Sequence, residues 1–134
     1  MFYNRERLKH QMISNEIDII IASTKENIRY FAGFEPVIKT LNPYKGLCFA
    51  VIDISNIEEV KIVHFVGEID QLLETNIKPD NIYAYGTFYR EDHHKNYLLA
   101  EEIKLKEFSK HPYIDAQDAL YKLLEDLKIG NKNV

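Results

Sequence analysis

The 134-residue chain contains a single cysteine, no tryptophan, five glycines and four prolines. Because Cys48 is alone, no internal disulfide and no zinc site built from several cysteines can form within one chain. We expect Cys48 to be a small buried residue of the apolar run 47–52. No apolar run approaches the roughly twenty residues that cross a bilayer, and the first residues lack the apolar core of a secretory signal. These absences predict a soluble, cytoplasmic protein with no membrane partner.

The chain also lacks an excess of basic residues. Seventeen lysines and arginines stand against 21 acidic residues, which gives a net charge of −4. Nucleic-acid binding needs a concentrated basic surface, whereas the lysines here are scattered. Most of the tyrosines and phenylalanines lie in strand-like runs, where aromatic side chains usually fill the core. The sequence therefore argues against a nucleic-acid partner.

The remaining composition is that of one globular domain, with 46% hydrophobic and 28% charged residues. Strand-like apolar runs occur at residues 17–22, 47–53, 60–66 and 82–85. Helical patterns lie between and around these runs, which predicts an α/β fold in which helices flank a mixed sheet. The first run is almost wholly apolar and β-branched, so we expect it at the centre of the sheet. The second and third runs are predicted to form a hairpin.

Helix signals are clearest at both ends of the chain. Asn4 can cap a first helix over residues 5–15. A short helix follows residue 22, because Ser23 and Glu26 have the spacing of a capping box and Gly33 can end it in the left-handed conformation. A third helix is predicted from residue 67 to residue 76. The last helix carries an apolar stripe over residues 116–127, and we expect it to stop at Gly130.

Two segments are harder to interpret. Residues 35–45 contain two prolines and no sustained period, which predicts a long loop of the kind that often carries function. In residues 87–112, Asp92 could cap a helix, whereas residues 102–108 alternate like a strand. We favour the helix.

The most distinctive stretch is residues 17–34, Ile-Asp-Ile-Ile-Ile-Ala-Ser-Thr-Lys-Glu-Asn-Ile-Arg-Tyr-Phe-Ala-Gly-Phe. The positions that form a familiar pattern are Arg5, Asp18, Asn27, Ile28, Tyr30, Gly33 and Phe34. This pattern resembles the signature of the N-terminal domain of the creatinase, prolidase and Xaa-Pro aminopeptidase family. The order of the later elements agrees with that domain to the end of the chain. The resemblance implies the creatinase/prolidase N-terminal fold, which is ribonuclease H-like, over residues 1–134.

The resemblance also implies a role for the chain. Metallopeptidases of this family hold two divalent metal ions with two Asp, one His and two Glu in a separate C-terminal pita-bread domain. That ligand set and its domain are absent from this chain, and residues 128–134 resemble the linker before it. The expected partners are therefore the protein's own C-terminal catalytic domain, a second copy in a homodimer, and proline-containing peptides bound by the full-length enzyme. No cofactor is expected in this chain.

In this family the loop after Gly-Phe contributes residues to the active-site entrance of a neighbouring subunit. Prolidase-like members often carry Pro-His-Glu-Arg there, and the guanidinium can pair with a substrate carboxylate. This chain has Pro43, Tyr44, Lys45 and Gly46 instead. The change removes the His and the Arg, although Lys45 could supply a single-point charge. Pro43, Tyr44 and Lys45 are therefore the candidate substrate-proximal loop; the alternative is that they merely form a loop tip.

No catalytic or metal-binding residue is predicted in the chain itself. His93 and His94, beside Asp92, are the one tight cluster of metal-ligand types. Adjacent histidines point in different directions and no third ligand follows at helical spacing, so a solvated loop is favoured. His64 lies inside a strand and is interpreted as a hydrogen-bonded sheet residue.

Two alternatives to the peptidase domain remain open. One is a free-standing interaction or ligand-binding module with the same fold. The other is a small enzyme that acts through Cys48, His64 or the pair His93 and His94.

Overall fold

The computed structural model describes residues 3–88, 100–110 and 112–134. Its helices are α1 (Arg5–Ser14), α2 (Lys25–Ala32), α3 (Val37–Leu41), α4 (Ala100–Phe108) and α5 (Ala116–Asp126). Its strands are β1 (Ile19–Ala22), β2 (Phe49–Asp53), β3 (Val60–Phe65) and β4 (Ile82–Tyr85). Short 3-10 segments lie at Ile54–Asn56, Val66–Leu72, Pro79–Asn81 and Ile129–Asn131.

The strands form one mixed sheet in the order β1-β2-β3-β4. β1 and β2 are antiparallel, β2 and β3 form the predicted antiparallel hairpin, and β3 and β4 are parallel. The predicted α/β class with a mixed, helix-flanked sheet is confirmed. The central position expected for the first strand is wrong, because β1 is an edge strand of the described sheet. Its apolar composition arises from helices packed above and below the sheet, which leave Ile19 fully buried.

Helical segments cover both faces of this sheet. On one face, α1, α2, the segment Val66–Leu72 and α4 contribute a large core. Its most deeply buried helical side chains are Met12, Ile28, Ile69, Leu72 and Phe108. On the other face, α5 packs Ala116, Ala119 and Leu123 against the sheet. Strand side chains therefore alternate between two apolar cores, as the two-residue period of a strand requires.

The start of α2 departs from the sequence prediction by one residue. Thr24, not Ser23, is the N-cap, and its Oγ1 accepts a hydrogen bond from the Asn27 N–H at 3.3 Å. The prediction of a capping box between Ser23 and Glu26 is therefore wrong. The predicted stop is confirmed, since Gly33 follows the helix with φ +83°.

The outer helices follow their patterns with one correction. Asn4 caps α1 as predicted, because its Oδ1 accepts from the Arg7 N–H at 2.9 Å. The stop expected at Gly130 comes earlier: α5 ends at Asp126, and the left-handed residue beyond it is Lys128 with φ +53°. The helix therefore turns away before the predicted glycine is reached.

The predicted loop over residues 35–45 contains the five-residue helix α3, so that prediction was partly wrong. A helix this short cannot show a 3.6-residue period. Its first turn is capped by a residue that is distant in the sequence, because the Glu68 Oε2 accepts a hydrogen bond from the Ile38 N–H at 3.1 Å. The helix predicted after residue 67 is a 3-10 segment with a kink at Glu68, although Ile69 and Leu72 are buried as expected.

The ambiguous region is helical where the structure describes it. Residues 100–108 form α4, so the strand alternative for residues 102–108 was wrong. Asp92, His93 and His94 lie outside the described residues. Across the described ranges, no helix combines the length and apolar character needed to cross a membrane.

Candidate functional site: the loop after α3

The candidate loop lies near the end of the sheet at which β3 and β4 finish and β2 begins. The Tyr85 hydroxyl, at the end of β4, donates to the Leu47 carbonyl oxygen at 2.6 Å and so holds the segment between the loop and β2. In open α/β sheets, ligands commonly bind outside the carboxyl ends of the parallel strands. The loop thus occupies a favourable position for contact with a ligand.

Pro43, Tyr44 and Lys45 are all exposed, and Tyr44 keeps 95% of its surface accessible. Asn42 organises the loop: its Oδ1 accepts the Lys45 N–H at 3.2 Å, and its carbonyl oxygen accepts the Gly46 N–H at 2.7 Å. The backbone is therefore anchored while the side chains face solvent. Such exposure is required for substrate contact and is equally typical of a loop tip, so the role of the loop stays a prediction.

Four large apolar side chains are exposed on α3 and in the segment that follows it, one of them in the loop itself. They are Val37, Leu41, Tyr44 and Leu47, with exposed fractions of 45%, 80%, 95% and 40%. We call these four residues the α3 patch. Large apolar side chains exposed together on a folded surface often mark an interaction site.

Cys48 follows Leu47 in the chain, and its side chain is fully buried in the larger core. Burial raises the pKa of its thiol well above the usual range. A thiol becomes a nucleophile as the thiolate, and burial disfavours that form. The prediction that Cys48 is a buried apolar residue is confirmed.

His64 is also fully buried, with the Phe34 ring edge-on at 5.2 Å between ring centroids. Its Nε2 lies 3.2 Å from the Glu68 carbonyl oxygen, which assigns the ring proton to Nε2. Within the described part of the chain, no group lies at hydrogen-bond geometry from Nδ1, and Gln71 is the polar side chain that influences the ring. Burial lowers the pKa of His64 to about 4, so the ring is neutral near pH 7. The predicted hydrogen bond of this strand residue is therefore present at Nε2, and its acceptor lies in the 3-10 segment that follows β3.

The other polar groups at this end of the sheet hold α3 in place. Lys39 is 7% exposed, and its Nζ lies 6.0 Å from the centroid of the Phe49 ring, so its stem packs against the sheet. Burial raises the pKa of Glu68, the carboxylate that caps α3. Burial also raises the pKa of Tyr85 to about 12, so its hydroxyl stays protonated as a donor. These contacts give the polar groups a structural role.

The geometry does not assemble a catalytic pair from Cys48 and His64. A general base must come within hydrogen-bond reach of its substrate, and neither side chain reaches solvent. No group of three His, Cys, Asp or Glu side chains is arranged to hold a metal ion anywhere in residues 3–88, 100–110 and 112–134. His93 and His94 fall outside those ranges.

Sequence reasoning missed a cleft of about 320 Å³ between the end of α2 and residues 74–78. Two ion pairs lie among its lining residues, one between Arg5 and Glu58 and one between Lys78 and Glu59 at 2.7 Å. The lining comes from distant parts of the chain, so no local motif could have indicated it. Because both ion pairs are largely exposed, they add little stability.

The signature residues form one structural unit. Ile28 is fully buried, Gly33 ends α2, and Phe34 packs on His64, whereas Tyr30 is 46% exposed. Most of the matched positions thus have a role in building the fold. Comparison with models of known families, with curated proteins and with solved structures finds no match for this chain in any of the three.

Proposed function

We propose that this chain is the non-catalytic N-terminal domain of a cytoplasmic metallopeptidase similar to Xaa-Pro aminopeptidase and prolidase. In this proposal the domain supports a homodimer and shapes the active-site entrance. The two divalent metal ions would be bound by a C-terminal catalytic domain outside this chain, which would hydrolyse the bond before proline. Membranes and nucleic acids are not among the proposed partners.

One observation carries the proposal. The unit that contains the signature, β1 followed by α2, Gly33 and Phe34, belongs to a mixed sheet and its covering layer and leads within eleven residues to the exposed residues Tyr44 and Lys45. This is the order in which the resemblance places a fold-building signature and an entrance loop. The α3 patch, which shares Tyr44 with that loop, offers exposed apolar side chains of the kind that domain contacts use.

The first test is the polypeptide encoded after Val134. We expect it to contain two Asp, one His and two Glu in the order of a dinuclear metallopeptidase. A continuation without that set would refute the peptidase assignment.

The chain by itself should not cleave Xaa-Pro peptides with or without added Mn²⁺. Cleavage that a chelator abolishes would contradict a non-catalytic role.

The second test addresses the loop in the full-length enzyme. We expect Tyr44→Ala and Lys45→Ala to raise KM for Xaa-Pro dipeptides while leaving kcat largely unchanged, because an entrance residue contributes to binding more than to chemistry. Lys9→Ala, an exposed change on α1, is the control. Unchanged KM for both loop variants would leave the loop a simple tip.

The α3 patch also supports a second candidate, a free-standing interaction module with the same fold. Leu41 and Tyr44 are the most exposed large apolar side chains of the patch and would contact a protein partner directly. In this case no metal-ligand set follows Val134, and the reading frame decides between the two proposals.

A further inference from the structure

The outer edge of β1 has a defined hydrogen-bonding pattern. The Ile54 N–H donates to the Asp18 carbonyl oxygen at 2.9 Å, and Ile20 is paired with Ile52 in the ladder. In an antiparallel ladder the backbone groups of alternate residues face the neighbouring strand. The Asp18 carbonyl oxygen and the backbone groups of Ile20 and Ala22 therefore face β2, whereas the Asp18 N–H and the backbone groups of Ile19 and Ile21 face outward.

Residues 132–133 lie across the beginning of this outer edge, and we call them the edge latch. The Asn133 carbonyl oxygen accepts hydrogen bonds from the N–H groups of Asp18 and Ile19 at 2.9 and 3.0 Å. The Asn133 N–H donates to the Asp18 Oδ2 at 2.8 Å, and its Nδ2 donates to the Glu16 carbonyl oxygen at 2.9 Å. A single residue thus satisfies the first outward-facing donor of the strand.

The latch is also fixed by an ion pair. Lys132 Nζ lies 2.5 Å from the Oδ2 of Asp53, the last residue of β2. Asp53 is only 6% exposed. Burial would raise the pKa of this carboxyl, but the hydrogen bonds from Lys132 and Ser55 hold it below its usual range. The carboxylate is therefore charged near neutral pH and available to hold the latch.

The latch covers only part of the edge. Among the described residues, no backbone hydrogen bond outside the sheet reaches Ile21. At the opposite edge, the Tyr113 N–H donates to the Ala84 carbonyl oxygen, and the Tyr113 carbonyl oxygen accepts from the Gly86 N–H, both at 2.8 Å. The second half of β4 is therefore hydrogen-bonded on its outer side. β1 is therefore the more open edge of the described sheet. An unpaired apolar edge strand is a template for another strand.

We propose that the edge latch is a reversible cover, and that on its release β1 pairs antiparallel with β1 of a second copy of this chain. A twofold axis makes such an interface self-complementary. A register centred on Ile21 places Asp18 of one copy opposite Thr24 of the other, one residue from Lys25 at the start of α2. Opposite charges thus come close, and Asp18 would join the exposed pair that Lys25 makes with Glu35 at 3.8 Å. The two four-stranded sheets would then join into one eight-stranded sheet. This inference rests on the strand edge and does not require the peptidase assignment.

The test opens the latch in the full chain. In the double variant K132D/N133P, Lys132→Asp repels Asp53 and Asn133→Pro removes both the N–H and the side-chain amide. We expect sedimentation velocity to show self-association at least about tenfold tighter than that of the unmodified chain. Hydrogen exchange should show a fast Ile19 amide in dilute solution and protected Ile19 and Ile21 amides in the associated form. Val134→Asp adds an acidic charge beside the latch and should change neither result.

A further substitution tests whether the backbone of β1 forms the interface. Ile21→Pro in the open-latch background removes an outward N–H that does not bond to β2, so it should abolish association while circular dichroism shows a folded protein. Association that persists with Ile21→Pro would place the interface elsewhere, for example on the α3 patch, and would overturn the proposal. So would an open-latch variant that does not associate more tightly than the unmodified chain.

A milder variant keeps the test available if the double variant fails to fold. Lys132→Ala alone removes the ion pair with Asp53 and should accelerate exchange of the Ile19 amide without changing that of Ile20, which bonds to β2. Equal protection of Ile19 in Lys132→Ala and in the unmodified chain would show that residues 132–133 do not act as a releasable cover.

Discussion

At the scale of single residues, His64 shows how burial sets a proton equilibrium. Its ring is buried between Phe34 and the segment that follows β3, and its Nε2 bonds to the Glu68 carbonyl oxygen. Burial favours the neutral form, which lowers the pKa to about 4. The unfolded chain keeps an ordinary histidine pKa of about 6.5. The two states therefore bind protons differently between these values.

This difference predicts acid destabilisation. Below about pH 6.5 His64 is protonated in the unfolded state but stays neutral in the folded state. The free energy of unfolding therefore falls as the pH decreases, and this contribution levels off below about pH 4. At pH 5 this difference in pKa lowers the free energy of unfolding by about 2 kcal/mol relative to neutral pH. Urea unfolding at pH 7 and pH 5 should show that His64→Leu removes this part of the pH dependence. His10→Gln, an exposed change, should retain it, and equal pH dependence in His64→Leu would contradict the assignment.

Gly46 gives the candidate loop a second residue-scale test. A Cβ at this position would lie 2.3 Å from the Ile38 carbonyl oxygen and 2.8 Å from that of Asn42. Both neighbours are backbone atoms of α3 and its end, so they cannot move aside easily. We expect Gly46→Ala to lower the free energy of unfolding by about 1–3 kcal/mol, as overpacking does.

The matched control is Gly130→Ala, because a Cβ there would meet no atom within 4 Å. Its effect in the same urea titration should stay within about 0.5 kcal/mol. Equal effects of the two substitutions would show that the close approach at Gly46 does not constrain the loop.

At the scale of elements, the start of α2 separates two neighbouring hydroxyl residues. Thr24 accepts the Asn27 N–H, whereas Ser23 is exposed and is not the N-cap. We expect Thr24→Ala to cost about 0.5–2 kcal/mol, the usual range for a lost N-cap. Ser23→Ala should be nearly neutral by thermal or urea unfolding. The reverse order would restore the capping box that the sequence spacing suggested.

The same helix illustrates how much of the fold the sequence predicts. Ile28, Phe31 and Gly33 are placed correctly because their roles depend on local spacing alone. α3 is missed because its cap comes from Glu68, 30 residues from Ile38. The edge position of β1 is missed because strand order depends on pairing between distant segments, and a strand buried between helical layers has the same composition wherever it lies.

The candidate site divides in the same way. The exposure of Tyr44 and the burial of Cys48 agree with what their local sequence predicts. The placement of Lys39 over Phe49 and of Glu68 beneath α3 could not be predicted, since each joins segments that no short motif connects. Contact between the loop and a substrate stays a prediction.

At the scale of the whole molecule, the two cores share the same strands. Val51 and Val63 face α5, while their neighbours Ile52 and Ile62 face the larger core. Damage to either core therefore removes support from strands that the other core needs. The two faces should unfold together as one cooperative unit, as small domains usually do.

Leu123 tests this coupling from the α5 side. It is fully buried, so Leu123→Ala leaves a cavity and should cost about 2–5 kcal/mol. Tyr121, on the same helix and 61% exposed, supplies the control Tyr121→Ala with little expected change. Because the strands link both cores, far-ultraviolet circular dichroism and tyrosine fluorescence should report one shared midpoint that shifts in Leu123→Ala. Two separated transitions would show instead that α5 can detach while the larger core, with α1 and α2, remains folded on the sheet.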